Sequence, residues 1–299
     1  MIKSINPVVQ SNIYFKTSHK QEHSVKQKQK FTAVNPFEQY HNNLATVNFA
    51  SKNIYKKIRC CAKDLTPIAS KEEYDEVIKR VCSSKTINGA SFWEIESDYN
   101  RYPDIDKELI GLLPYCGGND VSYNINSFLS NRLTTKNEYT PTKDSIVDIV
   151  RALDYSLNYL DKKFGQYEGI VFRKGVFGND SGQFYSTSMS CGIAAHFNGF
   201  SKKSQYSVIK TKTGHKIYDF QKSMNNSFAP EEKEILISRT AKHREIFPDD
   251  CSSDLQKARL RFAREIVFLS EKDALYFCHP KQNLSFEDAL NKIRLFEEI

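Results

Sequence analysis

Apolar residues recur at spacings of three and four through 145–164, where Ile146, Ile149, Val150, Leu153, Leu157 and Leu160 are interleaved with Asp148, Arg151, Asp154 and Asn158. That period matches the 3.6-residue turn of an α-helix, so the stretch predicts an amphipathic helix lying on a core. Thr140 and Pro141 supply its start signal, with threonine as cap and proline in the first turn. Shorter helical patterns fall at 71–83, with a glutamate-rich first turn, and at 124–133, while Pro103 and Gly117-Gly118 punctuate the region. Beyond Gly165 the texture changes to short β-rich runs separated by turn formers. The runs 169–177, 183–188, 206–212, 216–220, 233–239, 243–247 and 265–269 predict strands; a helical interlude is expected at 253–263 and a C-terminal helix at 286–298. Helices first and strands afterwards is the order of an α+β chain. The expected organisation is a polar leader over 1–35 and one domain over 36–299, helical to about residue 165 and β-rich over 166–299.

A chain of 299 residues can bury a substantial core without staples. Its seven cysteines are odd in number and include no Cys-x-x-Cys pair, so neither a disulfide framework nor a zinc site is expected, and a reducing compartment suits them. His196, His215, His243 and His279 show no metal-ligand spacing. No apolar run approaches the roughly 20 residues that cross a bilayer, and the N-terminus lacks the apolar core of a signal peptide. The net charge of +7 is mostly local: residues 1–35 hold six lysines against the single acid Glu22. A nucleic-acid binder is expected to carry its charge on a folded face with interleaved aromatics, so no nucleic-acid partner is expected here. The leader reads either as a disordered terminus or as a delivery signal.

Three segments carry candidate chemistry. In GIVFRKG, alternation puts Val171 and Arg173 on one strand face and Ile170 and Phe172 on the other. The planar guanidinium of Arg173 suits phosphate oxygens, and Gly175 allows close approach of a ligand to the backbone. In FYSTSMS, the hydroxyls of Ser186, Thr187 and Ser188 can donate to a carboxylate and accept from a sugar. In PEEKEILI, Glu232 and Glu234 are two apart on a predicted strand, which would place both carboxylates on one face and raise the pKa of one of them. Each segment alone also has a plain reading: an arginine on a strand edge, a serine-rich turn, alternating acids on a wetted face. Cys191, beside the second segment, is expected to be a small buried residue rather than a nucleophile.

Taken together, Arg173, then Ser186-Thr187-Ser188 after Phe184, then Glu232-x-Glu234, with 13 positions from Arg173 to Ser186 and 46 from Ser186 to Glu232, the set resembles the arginine-specific mono-ADP-ribosyltransferases. The resemblance covers about 123–269. It includes a weaker echo of a Tyr-x-x-Ile-Asn-x-x-Leu stretch in SYNINSFLSNRL, where Tyr123 stands one residue too close to Ile125 and Asn126. It departs from the family where Lys174 separates Arg173 from Gly175. What the resemblance implies is a helical part packed on two antiparallel sheets, with NAD in the cleft between them. Arg173 would hold the phosphates, and Ser186 would orient Glu234. Thr187 and Ser188 would shape the nicotinamide side. Glu234 would bond the ribose 2′-hydroxyl and stabilise an oxocarbenium-like transition state. Glu232 would position and deprotonate the incoming side chain, arginine by the family pattern, and Phe228 would touch the target. No metal is implied. The free thiols and polar leader fit the bacterial toxins and injected effectors of that family, acting as monomers on a host protein in the host cytoplasm. An NAD glycohydrolase, and a non-catalytic module that binds a host protein, are the alternatives.

Overall fold

The computed structural model describes residues 55–90, 105–116, 119–136, 139–175, 177–178, 182–197, 201–223, 230–277 and 283–299. The chain divides into two units, Met1–Asn53 and Ile54–Ile299, and all described residues belong to the second. The polar leader, Pro103, Gly117-Gly118 and Phe228 lie outside the described residues.

Four helices come first: α1 (Lys71–Cys82), α2 (Leu113–Cys116), α3 (Asn119–Leu129) and α4 (Lys143–Phe164). The apolar stripe predicted for 145–164 is buried throughout α4, from Ile146 to Leu160. Its cap differs from expectation. Thr142, not Thr140, accepts from the Ser145 amide at 3.2 Å, because the first free amides lie one turn inside a helix that starts at Lys143; Thr140 is buried and bonds the Thr134 carbonyl instead. A 3₁₀ turn, Lys107–Leu112, packs against α4 so tightly that a Cβ on Gly111 would meet the Ala152 carbonyl oxygen at 2.5 Å. The buried Tyr74 hydroxyl pins this contact by accepting from the Gly111 amide at 3.0 Å and pairing with Ser156 Oγ at 2.9 Å. That junction fixes where α2, which begins one residue after the turn, enters the core.

The strands are β1 (Tyr167–Lys174), β2 (Tyr185–Ser188), β3 (Tyr206–Gly214), β4 (Glu234–Ile237), β5 (His243–Ile246) and β6 (Ile293–Glu298). Between them lie α5 (Cys191–His196), α6 (Ile217–Ser223), α7 (Ser253–Phe277) and α8 (Phe286–Asn291). The α+β class is as expected, with one correction. The six strands form a single sheet in the order β4-β2-β1-β3-β6-β5, not two sheets, because β3 pairs with β1 on one side and with β6 on the other and leaves no break. All pairs are antiparallel except β3 with β6.

Three further expectations were wrong, each in a short apolar run whose period cannot separate strand from helix. Residues 216–220 fall in α6, where Ile217, Phe220 and Gln221 are buried at spacings of three and one. Residues 265–269 continue α7, whose buried Leu255, Phe262, Ala263, Ile266 and Leu269 form one helical stripe. The C-terminal helix stops at Asn291, and the remainder alternates into β6 beside β3.

Strand pairing gives the sheet two distinct faces. Ser186, Ser188, Glu234 and Leu236 share one face with Phe172, since residues directly opposite in a ladder point the same way. Two helical groups cover that face. Phe184 and Leu236 join the core of α1 to α4, while Phe172, Val208 and Leu295 join that of α5, α7 and α8. The other face carries Val171, Tyr185, Ile209, Ile235, Ile237 and Phe296. The hydroxyl and carboxyl groups therefore lie on the sheet face that both helical groups cover.

Candidate active site

β2 and β4 form the frame of the site. Their ladder pairs Ser188 with Glu234 and Ser186 with Leu236, so the serine and glutamate side chains lie diagonally on one face. The Ser186 hydroxyl hydrogen-bonds the Glu234 carboxyl, and Gln221 Nε2 donates to Glu234 Oε2 at 3.1 Å. Burial pushes the Glu234 pKa up to about 7, assisted by the nearby Glu232 charge; the bonds from Ser186 and Gln221 and the Arg173 charge only partly offset it. The carboxyl sits at depth although its residue keeps some surface at the start of β4, as befits the floor of a crevice.

Arg173 reaches this network from β1. By alternation its side chain starts on the face of Val171, as expected, with the guanidinium carbon 5.3 Å from the centre of the Tyr185 ring. β1 and β2 pair only at Phe172 and Ser188, so the Ser186 carbonyl is left for a side chain, and Arg173 Nη1 donates to it at 2.6 Å. Arg173 thus touches the Ser186 backbone rather than the Glu234 carboxylate, while its charge is felt at Glu234. Burial draws the guanidinium pKa down, and Nε has no partner among the described residues. A buried donor left unpaired costs about 1–3 kcal/mol, which a ligand oxygen would recover. Gly175, two residues on, has φ +115, a conformation that strains any residue with a Cβ.

Thr187 and Ser188 act on the frame. The Thr187 hydroxyl donates to the Ile235 carbonyl at 2.6 Å and the Ser188 hydroxyl to the Glu232 carbonyl at 2.6 Å, stitching β2 to the segment that carries both glutamates. Thr187 faces away from Glu234, on the side of Tyr185 and Ile235.

Glu232 is not on the strand. It ends a 3₁₀ turn, Pro230–Glu232, and Lys233 takes a left-handed φ of +49 before Glu234 opens β4. The two-residue spacing was read as strand alternation; the turn overrides it, although Glu232 stays close enough for its charge to raise the Glu234 pKa. Burial, then the neighbouring Glu231, lifts the Glu232 pKa as well.

Tyr115 and Gln221 belong to the site without having carried any sequence motif. Tyr115, in α2, lies within a plain apolar run and places its buried hydroxyl 3.2 Å from Ser186 Oγ. Asn126, noted within the α3 stretch, accepts from the Phe184 amide at 3.0 Å and bonds the Tyr115 hydroxyl, tying α3 to β2. Ile125 is buried, whereas Tyr123 is 70% exposed and points to solvent, as its misplaced spacing suggested. Cys191 is buried, as expected. No group of His, Cys, Asp or Glu able to hold a metal occurs among the described residues, and no helix there is long and apolar enough to cross a membrane.

A separate cavity of about 540 Å³ lies over Ile170, Phe172 and Met189 and is rimmed by Lys210, Lys257 and Arg261. None of Arg173, Ser186 or Glu234 lines it. The hydrogen-bonded cluster, not this cavity, holds the candidate groups of the three sequence segments. Residues 224–229, which run into the turn bearing Glu232, lie outside the described residues.

The sequence matches no family model and no curated protein. Among solved structures the chain is similar to the ADP-ribosyltransferase HopU1 of Pseudomonas syringae pv. tomato DC3000, at 13% identity and TM-score 0.42, over 78% of this chain and 99% of that one. It is similar to the type III effector XopAI from Xanthomonas axonopodis pv. citri, in a form lacking 70 N-terminal residues, at 14% identity and TM-score 0.36, over 60% of this chain and 81% of that one. It is also similar to the eukaryotic mono-ADP-ribosyltransferase ART2.2, at 20% identity and TM-score 0.40, over 59% of this chain and 80% of that one.

Proposed function

We propose that the protein transfers ADP-ribose from NAD to a side chain of a host protein, arginine by the Glu-x-Glu pattern, releasing nicotinamide. The observation that carries this reading is the continuous chain of bonds from Arg173 through Ser186 to Glu234, three groups far apart in sequence. As the bond to nicotinamide breaks, positive charge grows on the ribose. A fixed carboxylate in a poorly hydrated site stabilises that charge far more than it would in water. Glu234 takes this role, with Ser186 and Gln221 holding its orientation, while the unpaired Nε of Arg173 is free to bond the diphosphate of NAD. Glu232, nearby but outside the ladder, receives the incoming guanidinium and its proton; an arginine with pKa above about 12 is a poor nucleophile until a carboxylate does this. Phe228 makes the target contact in this reading; Ser188 and Gly175 shape the pocket, and Thr187 supports it by fastening β2 to the Ile235 carbonyl. Delivery into a host cytoplasm as a secreted effector is part of the proposal and rests on the basic, polar leader.

The test is incubation with labelled NAD and host-cell lysate, followed by mass spectrometry of modified peptides. Labelled arginine-containing peptides are expected, and release of nicotinamide without any labelled protein would mark a glycohydrolase instead. Glu232→Ala is expected to keep nicotinamide release within about twofold while losing transfer to protein. Equal loss of both activities would show that the two glutamates do not divide the work.

A further inference from the structure

Gln221 is 4% exposed in α6 and carries an unbalanced amide. Its Nε2 is spent on Glu234 Oε2 at 3.1 Å, whereas Oε1 has no donor among the described residues. The ionised carboxylate can only accept, so in that state the amide nitrogen faces Glu234 and the oxygen occupies the other arm of the same planar group. A buried amide oxygen without a donor calls for an explanation: local strain, an ordered water or a ligand. Its place decides among these. The orphan belongs to the side chain that donates to the Glu234 carboxylate, whose strand face also carries Ser186 and Ser188. Glu234 and Gln221 Oε1, linked through the Nε2 bond, offer two oxygen acceptors within one hydrogen-bonded unit. Two adjacent hydroxyls on one ring are the donors that match such a pair.

We propose that Gln221 and Glu234 form a clamp for the vicinal diol of a ribose, Glu234 accepting from one hydroxyl and Gln221 Oε1 from its neighbour. The clamp rests on NAD being the substrate and adds Gln221 as a residue in contact with it. It accounts for both ends of one amide. Nitrogen orients the reactive acid, and oxygen recognises the sugar that the acid works on. Glu234 takes the 2′-hydroxyl on the nicotinamide side, so Gln221 takes the 3′-hydroxyl.

The experiment measures nicotinamide release from NAD and from an analogue whose nicotinamide-side ribose lacks the 3′-hydroxyl, with the wild type and Gln221→Met. The wild type is expected to show a KM about tenfold higher for the analogue than for NAD. Gln221→Met should raise KM for NAD by about the same factor and then fail to distinguish the two substrates. Its melting temperature should change little, because a thioether of similar shape removes the unpartnered Oε1 along with the single Nε2 bond to Glu234. kcat also falls, since Glu234 loses its donor, so the ratio of KM values is the deciding quantity. If Gln221→Met does not fold, the wild type decides alone: equal KM for NAD and the analogue overturns the clamp. So does a Gln221→Met enzyme that keeps the wild-type ratio, which is the result expected if an ordered water satisfies Oε1. A wild type that neither binds nor cleaves NAD removes the transferase reading and the clamp with it, an outcome distinct from either of these.

Discussion

Two buried glutamates at opposite ends of the same sheet meet opposite fates. Glu298 closes β6, where its carboxylate accepts from Thr211 Oγ1 at 2.7 Å, Thr213 N at 3.1 Å and Thr213 Oγ1 at 2.5 Å, and from the Lys212 amide. Burial pushes its pKa up, but these donors outweigh burial and the net shift is down. Glu234 opens β4 with donors only from Ser186 and Gln221, and burial wins, leaving its pKa at about 7. The contrast separates a carboxylate that the fold has neutralised with hydrogen bonds from one left short of them. The first is a fastener between β3 and the C-terminal strand. The second is poised for a change in its surroundings, which a growing positive charge would supply.

The largest expected break in that contrast is Glu234→Gln, which should lower nicotinamide release by roughly 10²–10³-fold or more while leaving the protein folded. Near-normal turnover would strip Glu234 of its role. Glu298→Ala should do the reverse. It leaves the buried Thr211 hydroxyl and the part-buried amides of Lys212 and Thr213 without their acceptor, at about 3 kcal/mol, so the melting temperature should fall by roughly 10 °C. KM for NAD should stay within about twofold. An unchanged melting temperature would mean that the fastener is ornamental.

The smallest and sharpest test is pH. Glu234 has a folded pKa above its unfolded value of 4.5, so the folded state holds more protons between 4.5 and about 7. Its contribution to stability is complete below 4.5 and is lost as pH rises toward 7. Glu298 has its pKa lowered from 4.5, so its contribution is present above that value and is lost as pH falls through the folded pKa. Glu234→Gln should therefore gain stability relative to wild type at pH 8, by up to about 3 kcal/mol, whereas Glu298→Gln should narrow its deficit in acid. Activity should follow the Glu234 carboxylate: kcat/KM is expected to drop about fivefold from pH 7 to pH 6. A profile flat across that interval would contradict the environment described for Glu234.

The part of this chain that was legible in advance is the part governed by local period. α4 declares itself through six buried apolar positions, and β1 and β2 by short β-rich runs at the right places. Arg173, Ser186 and Glu234 could be singled out because each sits on or beside such a strand, and the fold brings the three into one bonded cluster. Legibility failed where the sequence is equally apolar in two periods, as at 265–269, or where a turn interrupts an apparent alternation, as at Lys233. Tyr115 and Gln221 were invisible for another reason. Their importance comes from a partner 71 positions away in one case and 13 in the other, and nothing about an apolar run or a short amphipathic helix announces which side chain will meet it.

The left-handed residue between the two glutamates has a consequence for how such a protein can diversify. Glu234 is held in register by the ladder with β2, whereas the left-handed backbone at Lys233 takes Glu232 off the strand and leaves it tied to β2 through its carbonyl, by the Ser188 hydroxyl. Insertions or substitutions upstream of Pro230 can re-aim the Glu232 side chain without dislodging the Glu234 carboxyl from its ladder. If the proposed transfer holds, the choice of acceptor can drift while the bond-breaking group stays put.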